Sequence, residues 1–173
     1  MIKTLVKEIE TRNKLLRTLL DPDINGDFYS NILKTILEVS HSQFGFIGYS
    51  AEDTGDLVCP TMTHDIWEKC QVPEKGLIFP FETWGHSCVS SAECLKTGEI
   101  IVKNSSPHKV PEGHLSLDRS ISIPLKSGYN GERETIGIII LANKETDYTE
   151  DDIKFLETLA DTLGPMIDFK RHE

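Results

Sequence analysis

Ile136-Gly137-Ile138-Ile139-Ile140-Leu141-Ala142-Asn143-Lys144 decides the fold of this chain. Thr135 to Ala142 is apolar at nearly every position. Neither side of such a strand can face water, so it is predicted to run through the middle of a sheet covered on both faces. Just beyond it, Thr149-Glu150-Asp151-Asp152 puts a hydroxyl ahead of three acids. That is a helix-capping signature, with carboxylates over the positive end of the helix. Ile153, Leu156, Ala160, Leu163 and Ile167 follow at heptad spacing, and Phe155, Leu159, Met166 and Phe169 add a second stripe. One stripe is expected to cover the sheet and the other to meet another helix. Pro165 removes a backbone donor and is expected to bend this helix near Asp161. Upstream, Ser120-Ile121-Ser122-Ile123-Pro124-Leu125 alternates polar with apolar residues. It predicts a half-buried strand, joined to the central one by a wide turn over Gly128 to Glu134.

Further out, Ile2, Leu5, Ile9, Leu16 and Leu19 fall on alternating three- and four-residue steps, interrupted at Arg12. This heptad-like seam predicts a helix over 1–20 that meets a partner helix, from the same chain or from a second copy. Asp21-Pro22-Asp23-Ile24-Asn25-Gly26 imitates the opening of a calcium loop, but its twelfth position is Ile32 where a bidentate Glu is needed. It is read as a turn capping the next helix, whose apolar face is Phe28, Ile32, Ile36 and Val39, from Asp27 to Ser40. Phe44 to Tyr49 and Leu57 to Thr63 are predicted to form a hairpin around Glu52 to Asp56. Asp65 to Cys70 is read as one or two helical turns carrying Trp67, and Val72 to Phe81 as loop. Gly85 to Thr97 is read as a short helix stopped by Gly98, and Ile100-Ile101-Val102 as a brief strand. Asn104 to Asp118 is a long loop, a length that in compact domains usually signals function.

The chain has 173 residues, which predicts one domain over 21–173 with an appended helix over 1–20. A domain of this size buries roughly 70% of its unfolded surface, enough for a core without disulfides. The net charge of -10 argues against a nucleic-acid surface, which needs dense Lys and Arg, and against an anionic membrane face. No apolar run approaches the ~20 residues that span a bilayer. The first 20 residues mix charge with apolar residues, so they are read as neither signal nor anchor. The expectation is a cytoplasmic protein with Cys59, Cys70, Cys88 and Cys94 as reduced thiols.

Taken together, Trp84-Gly85-His86, the Leu95 to Asn104 stretch, Pro111-Glu112-Gly113-His114, Ile123-Pro124-Leu125, Ile136-Gly137, Leu141-Ala142-Asn143-Lys144 and Tyr148-Thr149-Glu150-Asp151-Asp152 resemble the GAF domains of bacterial and archaeal sensory histidine kinases. The resemblance covers Asp27 to Lys170. It implies an α+β fold with an antiparallel sheet of five or six strands. The N- and C-terminal helices would share one face, and a ligand pocket would lie on the other, under the Asn104 to Asp118 loop and the Gly85 helix. It also implies a non-catalytic input module. A small ligand would bias the terminal helices, which relay the change to an output domain such as the kinase of a two-component system. A homodimer through Met1 to Leu20 and Ile153 to Phe169 fits that route. The chain itself carries no glycine-rich nucleotide loop and no phospho-accepting histidine box.

By the same resemblance the pocket would be lined by Trp67, Phe79, Trp84, His86, Cys88, His114, Arg119 and Ile121. Trp67, Trp84, Phe79 and Phe81 read either as a satellite core or as an aromatic wall for a flat ligand. His114 reads as a ligand or as a pH-sensitive latch. Asn143, at a strand end, is expected to cap a turn. The spacings His86-x-Cys88 and His64-x5-Cys70 do not suit structural zinc. Haem is the cofactor the resemblance leaves open, because some archaeal kinase GAF domains of this type bind it, in places through cysteine. Cys88, Cys94, His86 and His114 are then the iron candidates. Cys88 and Cys94 read equally well as small apolar fillers. A bilin would want a cysteine beside His114, which Pro111 to Arg119 lacks. A cyclic nucleotide could draw donors from Arg119 and Asn104-Ser105-Ser106, but no nucleotide signature is present. The enzymatic alternative is a GAF-type reductase of free methionine sulfoxide. Cys88 stands at a comparable position and His86 could lower its pKa, but the loop cysteine of that family is missing.

Overall fold

In a computed structural model, residues 1–21, 28–63, 78–80, 82–83, 89–105, 112–128 and 131–173 are described. The elements, in chain order, are α1 (Ile2–Leu20), α2 (Phe28–Ser40), β1 (Phe44–Ser50), β2 (Leu57–Met62), β3 (Ile78–Phe79), α3 (Val89–Thr97), β4 (Ile101–Lys103), β5 (Ser120–Ser127), β6 (Glu134–Ala142) and α4 (Glu150–Arg171). The six strands make one antiparallel sheet in the order β3-β2-β1-β6-β5-β4. The apolar run of β6 sits between β1 and β5, as a strand covered on both faces requires. Ile47 and Ile123 lie in register on either side of Ile139, so three isoleucines stand abreast on one face. The fold is the α+β arrangement that the resemblance implied.

That face carries the main core. Phe28, Ile32, Leu33 and Ile36 come down from α2, and Leu156, Leu159, Ala160, Leu163, Met166 and Ile167 from α4. The predicted first stripe of the last helix is thus the one that meets the sheet layer, and Leu159 and Met166 of the second stripe join it. Thr149 and Asp152 form a reciprocal capping box at the start of α4. Burial opposes ionisation of Asp152, but hydrogen bonds from Lys144 and Thr149 outweigh it and hold the carboxyl below its usual range. The helix continues through Pro165. At its other end, Arg171 donates to Asp168 Oδ1 (2.9 Å), to the Ser50 carbonyl (3.0 Å) and to Glu52 Oε1 (2.9 Å). Ser127 Oγ donates to the second oxygen of Asp168 at 2.7 Å. The last turn of α4 is therefore tied to the β1–β2 hairpin and to β5.

Helix α1 packs over both α2 and α4. The Lys7 ammonium lies 5.1 Å from the centre of the Phe155 ring, and Arg12 Nε donates to Thr162 Oγ1 at 3.0 Å. Both contacts advance together along the two helices, so α1 and α4 run in the same direction. The seam read from sequence is not the one this contact uses. Thr11, Leu15 and Thr18 face inward, with Leu19 partly covered, while Ile2, Leu5, Val6, Ile9 and Leu16 stay exposed. Two of the inward residues are threonines, whose hydroxyls are satisfied by the Lys7 and Lys14 carbonyls at 2.7 and 3.1 Å. Back-bonded threonine can be buried without an outside partner, which hides this face from a hydropathy pattern.

One further element departs from the sequence reading. Ile78–Phe79, taken as loop, adds a short edge strand, with Phe79 opposite Leu57 and Ile78 opposite Val58. A two-residue strand has no period to read. Gly98 does end α3, in the left-handed conformation (φ 67°) with its N–H on the Cys94 carbonyl at 2.9 Å. The turn over 22–27, the helical turns expected at Asp65 to Cys70 and the beginning of the Gly85 helix lie outside the described residues.

Candidate functional site

The second face of the sheet is built differently. Its cover among the described residues is the nine-residue α3, which lies against β4, β5 and β6. Strand alternation sends Phe46 and Gly48 of β1 and Ile138 and Ile140 of β6 to this side. They meet Leu57 and Cys59 of β2 and Cys94 of α3. Leu57, Cys59, Cys94 and Ile138 are sealed, and Phe46, Met62, Phe79, Ala92, Leu95, Ile101 and Ile140 surround them partly covered. Gly48 makes room for this cluster. A Cβ there would stand 2.8 Å from Leu57 Cδ1 and 3.1 Å from Cys59 Sγ. On this side the sheet thus carries a closed apolar cluster with Phe79 at its edge.

The candidate residues separate clearly. Phe79 packs against this cluster from the edge strand. Cys94 lies inside it at 0% exposure, and burial pushes its thiol up to about 12, with Lys126 pulling weakly the other way. A thiol so placed stays protonated at neutral pH, so Cys94 fits the filler reading and does not suit a nucleophile's role. Ile121 is a correction. It pairs with Leu141 and Val102 and lies in the core under the terminal helices. The strand residues that turn to the other face are its neighbours Ser122 and Pro124, paired with Ile140 and Ile138. His114 is half-buried, with Nδ1 2.8 Å from the Leu115 carbonyl, so any ligand role rests on Nε2. Arg119 holds Asp147, Nε to Oδ1, at 2.8 Å. Trp67, Trp84, His86 and Cys88 lie outside the described residues, as do Phe81, His64 and Cys70.

Asn104, Asn143 and Tyr148 hold the ends of the long segment in place. Asn104 brackets Tyr148: its Oδ1 accepts the Tyr148 N–H at 2.8 Å and its Nδ2 donates to the Tyr148 carbonyl at 3.1 Å. Its oxygen and one of its two N–H groups are thus committed to backbone. Asn143, in the left-handed conformation (φ 57°), does the same for the far end of the long loop. Its Oδ1 accepts the Asp118 N–H at 2.9 Å and its Nδ2 donates to the Ser116 carbonyl at 3.0 Å. The turn-capping role expected of Asn143 is the one it has. The Tyr148 hydroxyl is buried against Ser42 at 2.8 Å, and Ser42 against Ser40 at 3.0 Å. Burial raises the Tyr148 phenol to about 12 despite the Ser42 hydrogen bond.

A family model described as the GAF domain matches residues 26–168. The chain belongs to the GAF domain family. Among curated proteins it is similar to the methyl sulfide methyltransferase-associated sensor of Methanosarcina acetivorans, at 23% identity over 140 residues. That match takes in 79% of this chain and 14% of the sensor, so the chain spans about a seventh of its relative's length. Among solved structures it resembles the GAF domain of a phosphoenolpyruvate-protein phosphotransferase from Coxiella burnetii, with a TM-score of 0.71, 15% identity and 95% of both chains covered. It also resembles the free methionine-R-sulfoxide reductase of Neisseria meningitidis, with a TM-score of 0.64, 16% identity, and 96% and 93% of the two chains covered. At these identities the structural likenesses establish a common GAF fold.

Proposed function

We propose that this GAF domain is a non-catalytic sensory module. It binds a small ligand on the sheet face that carries Leu57, Cys59, Phe79, Cys94 and Ile138, and relays binding through α1 and α4 to an output domain, a histidine kinase in the first instance. The observation that carries this reading is the unequal build of the two sheet faces. One is closed by the terminal helices over a large core, and the other, among the described residues, has a small apolar cluster under the short helix α3. The sensor of M. acetivorans supports the same direction. Trp67, Trp84, His86, Cys88 and His114 remain the proposed lining residues, with Phe79. A ligand can drive the helices only as far as its affinities for two helix arrangements differ.

The test uses a thermal-shift series with ferric haem, cyclic nucleotides and free methionine sulfoxide. A ligand at about a hundred times its Kd stabilises by roughly 2.7 kcal/mol, which raises Tm by about 5–10 °C in a chain of this length. Trp67 and Trp84 are the two tryptophans of the chain. Bound haem is expected to quench their fluorescence and to give a Soret band that Cys88→Ala or His114→Ala shifts. Neither a Tm rise nor quenching with any of the three classes, or with pooled cell metabolites, would defeat the sensory reading.

The Neisseria fold match supports sulfoxide reduction as the second reading. It needs a thiolate, which Cys94 does not supply, so it rests on Cys88. Turnover of free methionine sulfoxide that disappears in Cys88→Ala would favour it.

The exposed side of α1 supports the homodimer. Ile2, Leu5, Ile9 and Leu16 are 79, 54, 48 and 41% exposed and keep heptad spacing, with Val6 beside them. A second copy of α1 is the proposed occupant. Sedimentation should find a dimer at micromolar concentration that Ile9→Glu converts to monomer with little change in the melting of the monomeric fold. A monomeric parent chain would end this part of the proposal.

A further inference from the structure

The stretch 143–149 receives side chains from both described ends of the 104–119 segment. From one end, the Asn104 amide holds both backbone groups of Tyr148. From the other, Arg119 holds Asp147 at 2.8 Å, its carbonyl accepts the Asn143 N–H at 2.9 Å, and Ser116 and Asp118 are held by the Asn143 side chain. The next residue, Thr149, is the N-cap of α4, with its N–H on Asp152 Oδ2 at 2.8 Å. Tyr148 cannot slide to absorb a displacement, because the residue is 3% exposed and its hydroxyl is bound to Ser42.

We infer that residues 143–149 form a coupling element that makes the two ends of the 104–119 segment and the first turn of α4 stand or loosen together. A residue whose N–H and C=O are gripped by one side chain turns with that side chain. Tyr148 is gripped so, and the peptide bond after it orients the cap. Asn143 carries the same constraint to the opposite end, from a backbone conformation that non-glycine residues rarely adopt. Coupling of this kind is reciprocal, so uncapping the helix must loosen the loop ends as surely as the reverse. Its use in signalling rests on the sensory reading above; its existence does not.

Amide hydrogen exchange on the whole ligand-free chain tests it. Losing a buried hydrogen-bonding partner typically speeds the dependent local opening about tenfold. Asn104→Ala should raise exchange to that extent both in 112–119 and in the first turn of α4, while 89–97 and the second half of α4 keep their protection. Thr149→Ala, which touches neither loop end directly, should raise exchange in 112–119. If Asn104→Ala does not fold, Arg119→Gln breaks an exposed pair and should act in the same two places, more weakly. A Thr149→Ala effect confined to α4, or an Asn104 or Arg119 effect that leaves the first turn of α4 unchanged, overturns the inference. No ligand enters the measurement, so its failure leaves the ligand titrations to judge the sensory reading separately.

Discussion

Gly164→Ala is expected to destabilise the chain by about 3 kcal/mol, the upper end of what overpacking usually costs. Helix propensity alone predicts the opposite sign, a gain of roughly 1 kcal/mol. The packing decides it. A Cβ on Gly164 would lie 2.0 Å from the Lys126 carbonyl oxygen, 2.7 Å from its carbon and 2.9 Å from its nitrogen. All three are backbone atoms of β5, so no side chain can swing aside. Helix α4 would have to back away and loosen Leu159, Leu163 and Ile167, which seal the core beneath it. For a chain of this length the melting temperature should fall by roughly 6–12 °C by calorimetry. A melting temperature at or above that of the parent chain would mean that α4 does not approach β5 so closely.

Leu15→Ala should cost about 3 kcal/mol, as truncation of a fully enclosed leucine does. Leu16→Ala, one residue on, should change stability by no more than about 0.5 kcal/mol when measured at a concentration where the chain is monomeric. The two residues have the same chemistry and the same helix propensity, and differ in exposure, 0% against 41%. Urea unfolding of the pair therefore reads the rotation of α1 directly. Equal losses, or the larger one at Leu16, would mean that the seam seen in the sequence is the face that packs within the chain.

The fold was legible wherever the signal was local and repeated. The apolar run of β6, the Thr149 cap and the double stripe of α4 each declare an element without help from distant residues. The inward face of α1 was hidden because threonine reads as polar, although its hydroxyl closes onto its own helix. Ile121 shows a different limit. Alternation reveals which residues of a strand share a side, but which side the terminal helices cover is fixed by where α2, α3 and α4 pack. Asn104 was read only as a possible donor to a nucleotide; its hold on Tyr148 had no local signal, because that partner is 44 residues away. Cys94 was legible as either filler or ligand, and only the enclosure of its sulfur separates the two.

The common direction of α1 and α4 has a geometric outcome. Any polypeptide joined ahead of Ile2 attaches at one pole of the domain, and any joined beyond Arg171 attaches at the opposite pole, about 33 Å away along the 22 residues of α4. Units of this shape can be threaded in series without the backbone doubling back. An axial slip of α4 against α1 by a single residue then changes the separation of neighbouring units by about 1.5 Å.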